Sequence, residues 1–80
     1  MQFKLGLYRH NKSGNIYEVI AVAKHHESLE ELVVYRGLYY DSKMGNEPVF
    51  VRPVADFEKV VDIEGHQLPR FEFIGGELEE

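Results

Sequence analysis

The 80-residue sequence predicts an all-β domain, a small and strongly bent barrel. Three observations point there. Five or six short runs rich in Val, Ile, Tyr and Phe are separated by turn residues every 8 to 12 positions, the cadence of antiparallel strands. The longest run, Ile16 to His25, alternates with period two, so that Tyr17, Val19, Ala21 and Ala23 share an apolar face. Strands this short cannot build two large sheets, and a sheet that curls on itself removes most of its exposed edges.

Taken in order, "GLYRH" is the first strand. "NKSGN" is a turn, in which Asn11, Gly14 and Asn15 tolerate positive φ. Residues 16–25 form the second strand. Its other face carries Ile20 and Val22, which implies partial cover or a contact with a second copy. In "HHESLEEL", Ser28 and Glu31 have capping-box spacing, so at most one helical turn is expected. "LVVYRGLYY" is the third strand, with Gly37 permitting a bend or bulge. "DSKMGNEP" is a polar loop, and "VFVRP" is a strand that Pro53 ends because proline lacks the ladder donor. "VADF" resembles a short helical turn. "EKVVDIE" and "LPRFEFI" are the last strands, joined by a turn at Gly65. The rival is an α+β domain with a helix over residues 27–40; Val33, Val34, Tyr35 and Gly37 weaken that helix in its middle.

Length indicates one domain, residues 1–74, followed by an acidic, flexible tail, residues 75–80. The net charge is −5, yet residues 1–71 hold nine bases and ten acids. A nearly neutral body disfavours nucleic-acid binding, which draws its strength from many released counterions. The absence of cysteine excludes disulfides, thiolate metal sites and cysteine nucleophiles, and fits a reducing, cytoplasmic setting. No apolar run approaches the roughly 20 residues of a membrane span, so no membrane partner is expected.

The motifs "LYRH", "YEV", "SLEELVVYR", "LY", "VRP" and "PRF" occur in this order over about residues 6 to 74. They resemble a small bacterial domain family of unknown function with such signatures. The resemblance implies an SH3-like β-barrel with one or two single helical turns, in a bacterial intracellular protein. It implies no activity. This chain departs from the family pattern at Asn11, at Phe50 where tryptophan is frequent, at Asp56 before Phe57, and in its long loop before "VRP".

Each arginine lies one or two positions from an aromatic residue: Tyr8-Arg9, Tyr35-Arg36, Phe50-Val51-Arg52 and Arg70-Phe71. Adjacent strand residues face opposite ways, so the rings point in and the guanidinium groups out. Guanidinium forks suit carboxylate and phosphate. A ligand-binding patch of Arg9, His10, Arg36, Tyr39, Arg52 and Arg70 is therefore expected. Its partner would be a protein, an acidic peptide or a small anion; an RNA-binding barrel is the alternative, with aromatics stacking on bases. The bland reading pairs each arginine with a surface glutamate such as Glu18 or Glu31, worth roughly 0–1 kcal/mol and without function. No HxH, HxxxH or HExxH spacing favours a metal, and no cofactor is expected. Ser13, Ser28 and Ser42 lie in no nucleophile motif, there is no threonine, and a non-catalytic binding module is favoured over an enzyme.

Overall fold

The structure, a computed structural model, describes residues 4–76. The strands are β1 (Gly6–His10), β2 (Ile16–Lys24), β3 (Glu31–Gly37), β4 (Tyr40–Asp41), β5 (Gly45–Asn46), β6 (Val49–Pro53), β7 (Val60–Ile63), β8 (His66–Pro69) and β9 (Phe71–Gly75). One helical turn, α1 (Val54–Phe57), follows β6 directly. The all-β class is as expected, and no long helix crosses residues 27–40.

Five strands make one antiparallel sheet in the order β6-β3-β2-β1-β9. Two small hairpins, β4-β5 and β7-β8, complete the strands. The sheet is open, because β6 and β9 lie at its two edges. Laid flat, those edges would be on the order of 19 Å apart at the usual strand spacing. Yet the Arg52 guanidinium on β6 sits 5.6 Å from the ring centre of Phe71 on β9. The sheet is therefore curled into a barrel-like shape around one core.

That core is Tyr8, Tyr17, Val19, Val33, Tyr35, Val54, Phe57 and Phe71. Phe57, delivered by α1, is the plug: it is 1% exposed and stacks on Phe71 at 4.0 Å with the rings 2° apart. Its ring also meets Tyr8 and Tyr35 edge-on, at 5.3 and 5.4 Å. Such aromatic pairs add about 0.5–1.5 kcal/mol beyond the area they bury.

Several expectations change in detail. The register of β2 on β3 slips between Val19 and Ala21. Tyr17 and Val19 face the core as expected, but beyond the slip Val22 stands opposite the fully buried Val33, and Ala21 opposite Val34. The single apolar face running to Ala23 is thus broken. Gly37 is no bulge: it pairs in register with Tyr17. Its missing side chain makes room for the Tyr39 ring, which a Cβ there would meet at 2.6 Å.

The turn before β3 closes one helical turn, Leu29 N–H to His25 O at 2.9 Å, but without the expected capping box. Ser28 Oγ accepts the Glu30 backbone N–H at 3.2 Å, and His25 Nδ1 accepts those of Glu27 and Ser28 at 3.2 and 3.3 Å. His25, not Ser28, thus caps the turn. "LPRFEFI" is not one strand but the end of β8 and most of β9. Arg70, between them, donates its N–H to Lys59 O at 2.8 Å and accepts from Asn11 N–H at 3.1 Å. The expected loop at residues 41–48 is largely the β4-β5 hairpin, which starts one residue earlier at Tyr40. Strand β9 runs to Gly75, the first residue of the acidic tail expected at residues 75–80, and residues 77–80 of that tail lie outside the described residues.

Candidate functional site

At one end of the curled sheet is a pocket of about 280 Å³ lined by His10, Tyr17, Tyr35, Tyr39, Met44, Phe50, Arg52 and Phe71. The register explains its composition. On β6, Phe50 stands opposite Tyr35 and Arg52 opposite Val33, so both project from the core face of the sheet. On β1 and β9, His10 pairs with Phe71, and their rings lie 4.9 Å apart. Tyr17 joins the wall from β2, edge-on to Tyr35, Tyr39 and Phe71 at 5.4 to 5.6 Å. Tyr39 closes it from the far side, its hydroxyl 3.1 Å from that of Tyr17. Segments from all over the sequence, "YRH", "YEV", "LVVYR", "VRP" and "PRF", each place a side chain here.

Arg52 is the charged member. Its Nε–H donates to the Tyr35 hydroxyl at 3.2 Å and its Nη1 to Asp56 Oδ2 at 3.0 Å. Burial disfavours its charge, but the Tyr35 and Asp56 contacts outweigh it and raise its pKa. Asp56 also lies 3.9 Å from Arg70 Nη2, so one carboxylate is shared by two cations. Burial, then the charges of Arg52, Arg70 and Lys12, hold the His10 pKa below its ordinary value. Burial and then the Tyr17 hydrogen bond push the Tyr39 pKa upward.

The expected six-residue patch is divided. His10, Tyr39 and Arg52 line the pocket, and Arg70 reaches its margin through Asp56. Arg9 and Arg36 do not join them. Arg9 stands on the outer face of the sheet, bonded to Glu72 at 3.1 Å. Arg36 faces outward beside Glu18, which binds it, with Glu47 at 4.0 Å. Those two follow the bland reading. Arg52 breaks the rings-in, guanidinium-out expectation because it is two residues from Phe50, not one, and period two puts both on the same face. The same spacing was the available signal. In the sequence Tyr17 and Tyr35 read as core or as part of an aromatic peptide groove, while Phe50, Phe71 and the shared carboxylate Asp56 carry no site reading.

A second depression, lined by Glu30, Glu31, Pro53, Val54, Ala55 and Glu58, repels anions. Among the described residues no group of His, Asp and Glu is arranged to hold a metal, and no helix is long and apolar enough to cross a membrane.

Similarity to known proteins agrees with this architecture. A crystal structure of a DUF1653 protein from Bordetella bronchiseptica superposes with a TM-score of 0.83 at 30% identity, covering 99% of this chain and 96% of that one. No curated protein matches the chain. The description "Protein of unknown function (DUF1653)" matches residues 6–73, and the chain belongs to that family.

Proposed function

We propose that the protein is a small, non-catalytic binding module whose pocket takes a carboxylate-bearing side chain from an acidic segment of a partner protein. The observation that carries this reading is a surplus of hydrogen-bond donors. Arg52 Nη2 has no partner among the described residues. The Tyr35 hydroxyl accepts from Arg52, and its own hydrogen has no acceptor there. Of the two hydroxyls of Tyr17 and Tyr39, one hydrogen is left over. His10 adds a ring N–H on Nε2. The nearest carboxylate, Asp56, is already shared between two arginines. Donors in such number favour a ligand rich in acceptors, and a part-buried guanidinium favours an anionic one.

Size and lining narrow the class. The volume of about 280 Å³ falls at the lower limit for ligand pockets, room for a residue-sized group. The rings and Met44 suit an apolar stem beneath the charged end. A body carrying nine bases against ten acids over residues 1–71 lacks the positive field that a phosphate backbone requires.

The test is an amide-shift titration with a blocked peptide of alternating glutamate and leucine, its glutamine counterpart, and a short single-stranded RNA. Saturable shifts at His10, Tyr39, Arg52 and Phe71 with the glutamate peptide alone are expected. Arg52→Gln should weaken binding roughly 10- to 100-fold, the worth of a charged hydrogen bond. Equal response to the glutamine peptide, or preferential RNA binding that collapses with salt, overturns the reading.

A further inference from the structure

We propose that the pocket captures its anion together with a proton, and that His10 is the group that takes the proton up. The inference rests on the binding reading above and adds how the site is regulated.

The geometry around His10 defines two states. The ring lines the pocket and packs on Phe71. Its Nδ1 faces away, into the turn that follows β1, where the Ser13 backbone N–H donates to it at 3.3 Å. An accepting Nδ1 is unprotonated, so the neutral ring carries its hydrogen on Nε2. The Ser13 hydroxyl lies nearer, 2.8 Å from Nδ1. A hydroxyl rotates freely between donor and acceptor. When Nδ1 gains a proton, Ser13 Oγ is positioned to receive it as a hydrogen bond. The turn itself is held independently of the ring, by Gly14 N–H to His10 O at 2.7 Å and His10 N–H to Asn15 O at 2.8 Å. The imidazolium therefore forms without dismantling the turn, and Nε2–H is kept in both states.

The surroundings supply the coupling. Lys12 stands in the same turn, Arg52 faces the ring from β6, and Arg70 lies just before β9. From β2 comes Tyr17, with its ring 6.2 Å away. From α1, Asp56 supplies the one carboxylate, already engaged by Arg52 and Arg70. On β1 itself, Arg9 turns to the outer face and Glu72. Without ligand three cations near the ring share the single Asp56 carboxylate, and the surplus positive charge favours the neutral ring. A bound carboxylate offsets those charges and favours the imidazolium. Binding then draws a proton from solution, and affinity rises as the pH falls.

The experiment measures affinity for the glutamate peptide at pH 8.0 and pH 6.0, a window in which its carboxylate, with a pKa of about 4.3, stays ionised. For the native sequence, binding about 3- to 10-fold tighter at the lower pH is expected, within the tenfold-per-unit limit of one linked proton. His10→Gln keeps an N–H donor but no titration, and its own affinity should differ less than about twofold between the two pH values. Ser13→Ala removes the hydroxyl acceptor while leaving the backbone donor, and should shrink the pH effect. The His10 Cε1–H resonance, followed through its titration with and without peptide, gives the proton uptake directly and should move to higher pKa when peptide is bound. Binding that persists unchanged across the window, with an unmoved His10 titration, overturns proton capture and leaves the binding reading standing. No binding at either pH overturns both.

Discussion

Replacing Gly37 by alanine isolates the contact that builds the pocket's far wall. A Cβ at this position would lie 2.6 Å from Tyr39 Cε2, 2.8 Å from Cζ and 3.2 Å from Cδ2. Ordinary carbon contacts need about 3.5–4.0 Å, so the ring must retreat by roughly 1 Å. The Tyr17–Tyr39 hydroxyl contact is already 3.1 Å, and a retreat of that size breaks it. Overpacking of this kind costs about 1–3 kcal/mol, and the lost hydrogen bond adds about 1 kcal/mol. Against this stands a gain of roughly 0.5–1 kcal/mol, because alanine loses less backbone entropy than glycine in a strand. A net loss of about 1–3 kcal/mol is expected from urea unfolding. The decisive assay is a double-mutant cycle with Tyr39→Ala, which removes the obstructing ring. There Gly37→Ala should be neutral or slightly stabilising, leaving a coupling of about 2 kcal/mol between the two sites. Additive costs within about 0.5 kcal/mol would refute the idea that Gly37 exists to seat Tyr39.

Phe57→Ala should remove about 3–5 kcal/mol, since the ring is 1% exposed and stacked on Phe71. At roughly 0.05–0.15 kcal/mol per residue, an 80-residue domain holds about 4–12 kcal/mol, so the variant should unfold well below the native midpoint on heating; a loss under about 1.5 kcal/mol would mean α1 is not the plug. Stability should also fall with pH through His10. Its folded pKa is lowered, so at pH above about 6.5 both states are neutral and the contribution is fully present; below that the unfolded chain protonates first and stability drains away. Urea midpoints at pH 8 and pH 5 should differ more for the native sequence than for His10→Gln, and equal differences contradict the shift.

What the sequence could reveal depended on whether a wrong arrangement would have been costly. Strand β2 was legible because Tyr17 and Val19 alternate with Glu18, and exchanging them would bury a carboxylate. The slip after Val19 was not legible. Ile20, Ala21 and Val22 are all apolar, so neither face penalises a change of register there. The turn at residues 25–30 misled for a different reason. The serine-to-glutamate spacing of a capping box was present, but His25 Nδ1 accepts the Ser28 N–H that the box would give to Glu31, and Ser28 Oγ accepts from Glu30; no periodicity exposes such competition. Gly37 announced a special position without saying which kind; only the placement of Tyr39 distinguishes a bend from a space.

The same reasoning separates Arg36 from Arg52, which the sequence surrounds with similar rings. Arg36 is one residue from Tyr35, so the strand turns it outward, where Glu18 and Glu47 answer its charge in contact with water. Pairs of that kind contribute about 0–1 kcal/mol, and an apolar or polar replacement would serve the fold nearly as well. Arg52 is two residues from Phe50 and opposite Val33, which is 0% exposed. A guanidinium on that face forfeits part of its hydration, and an aliphatic side chain would fill the space without that cost. Its bonds to Tyr35 and Asp56 reduce the penalty but leave Nη2 unused among the described residues. A charge held at a ring-lined opening where packing alone would not choose it supports the binding reading proposed for Arg52; Arg36, answered by two carboxylates on the outer face, gives it no such support.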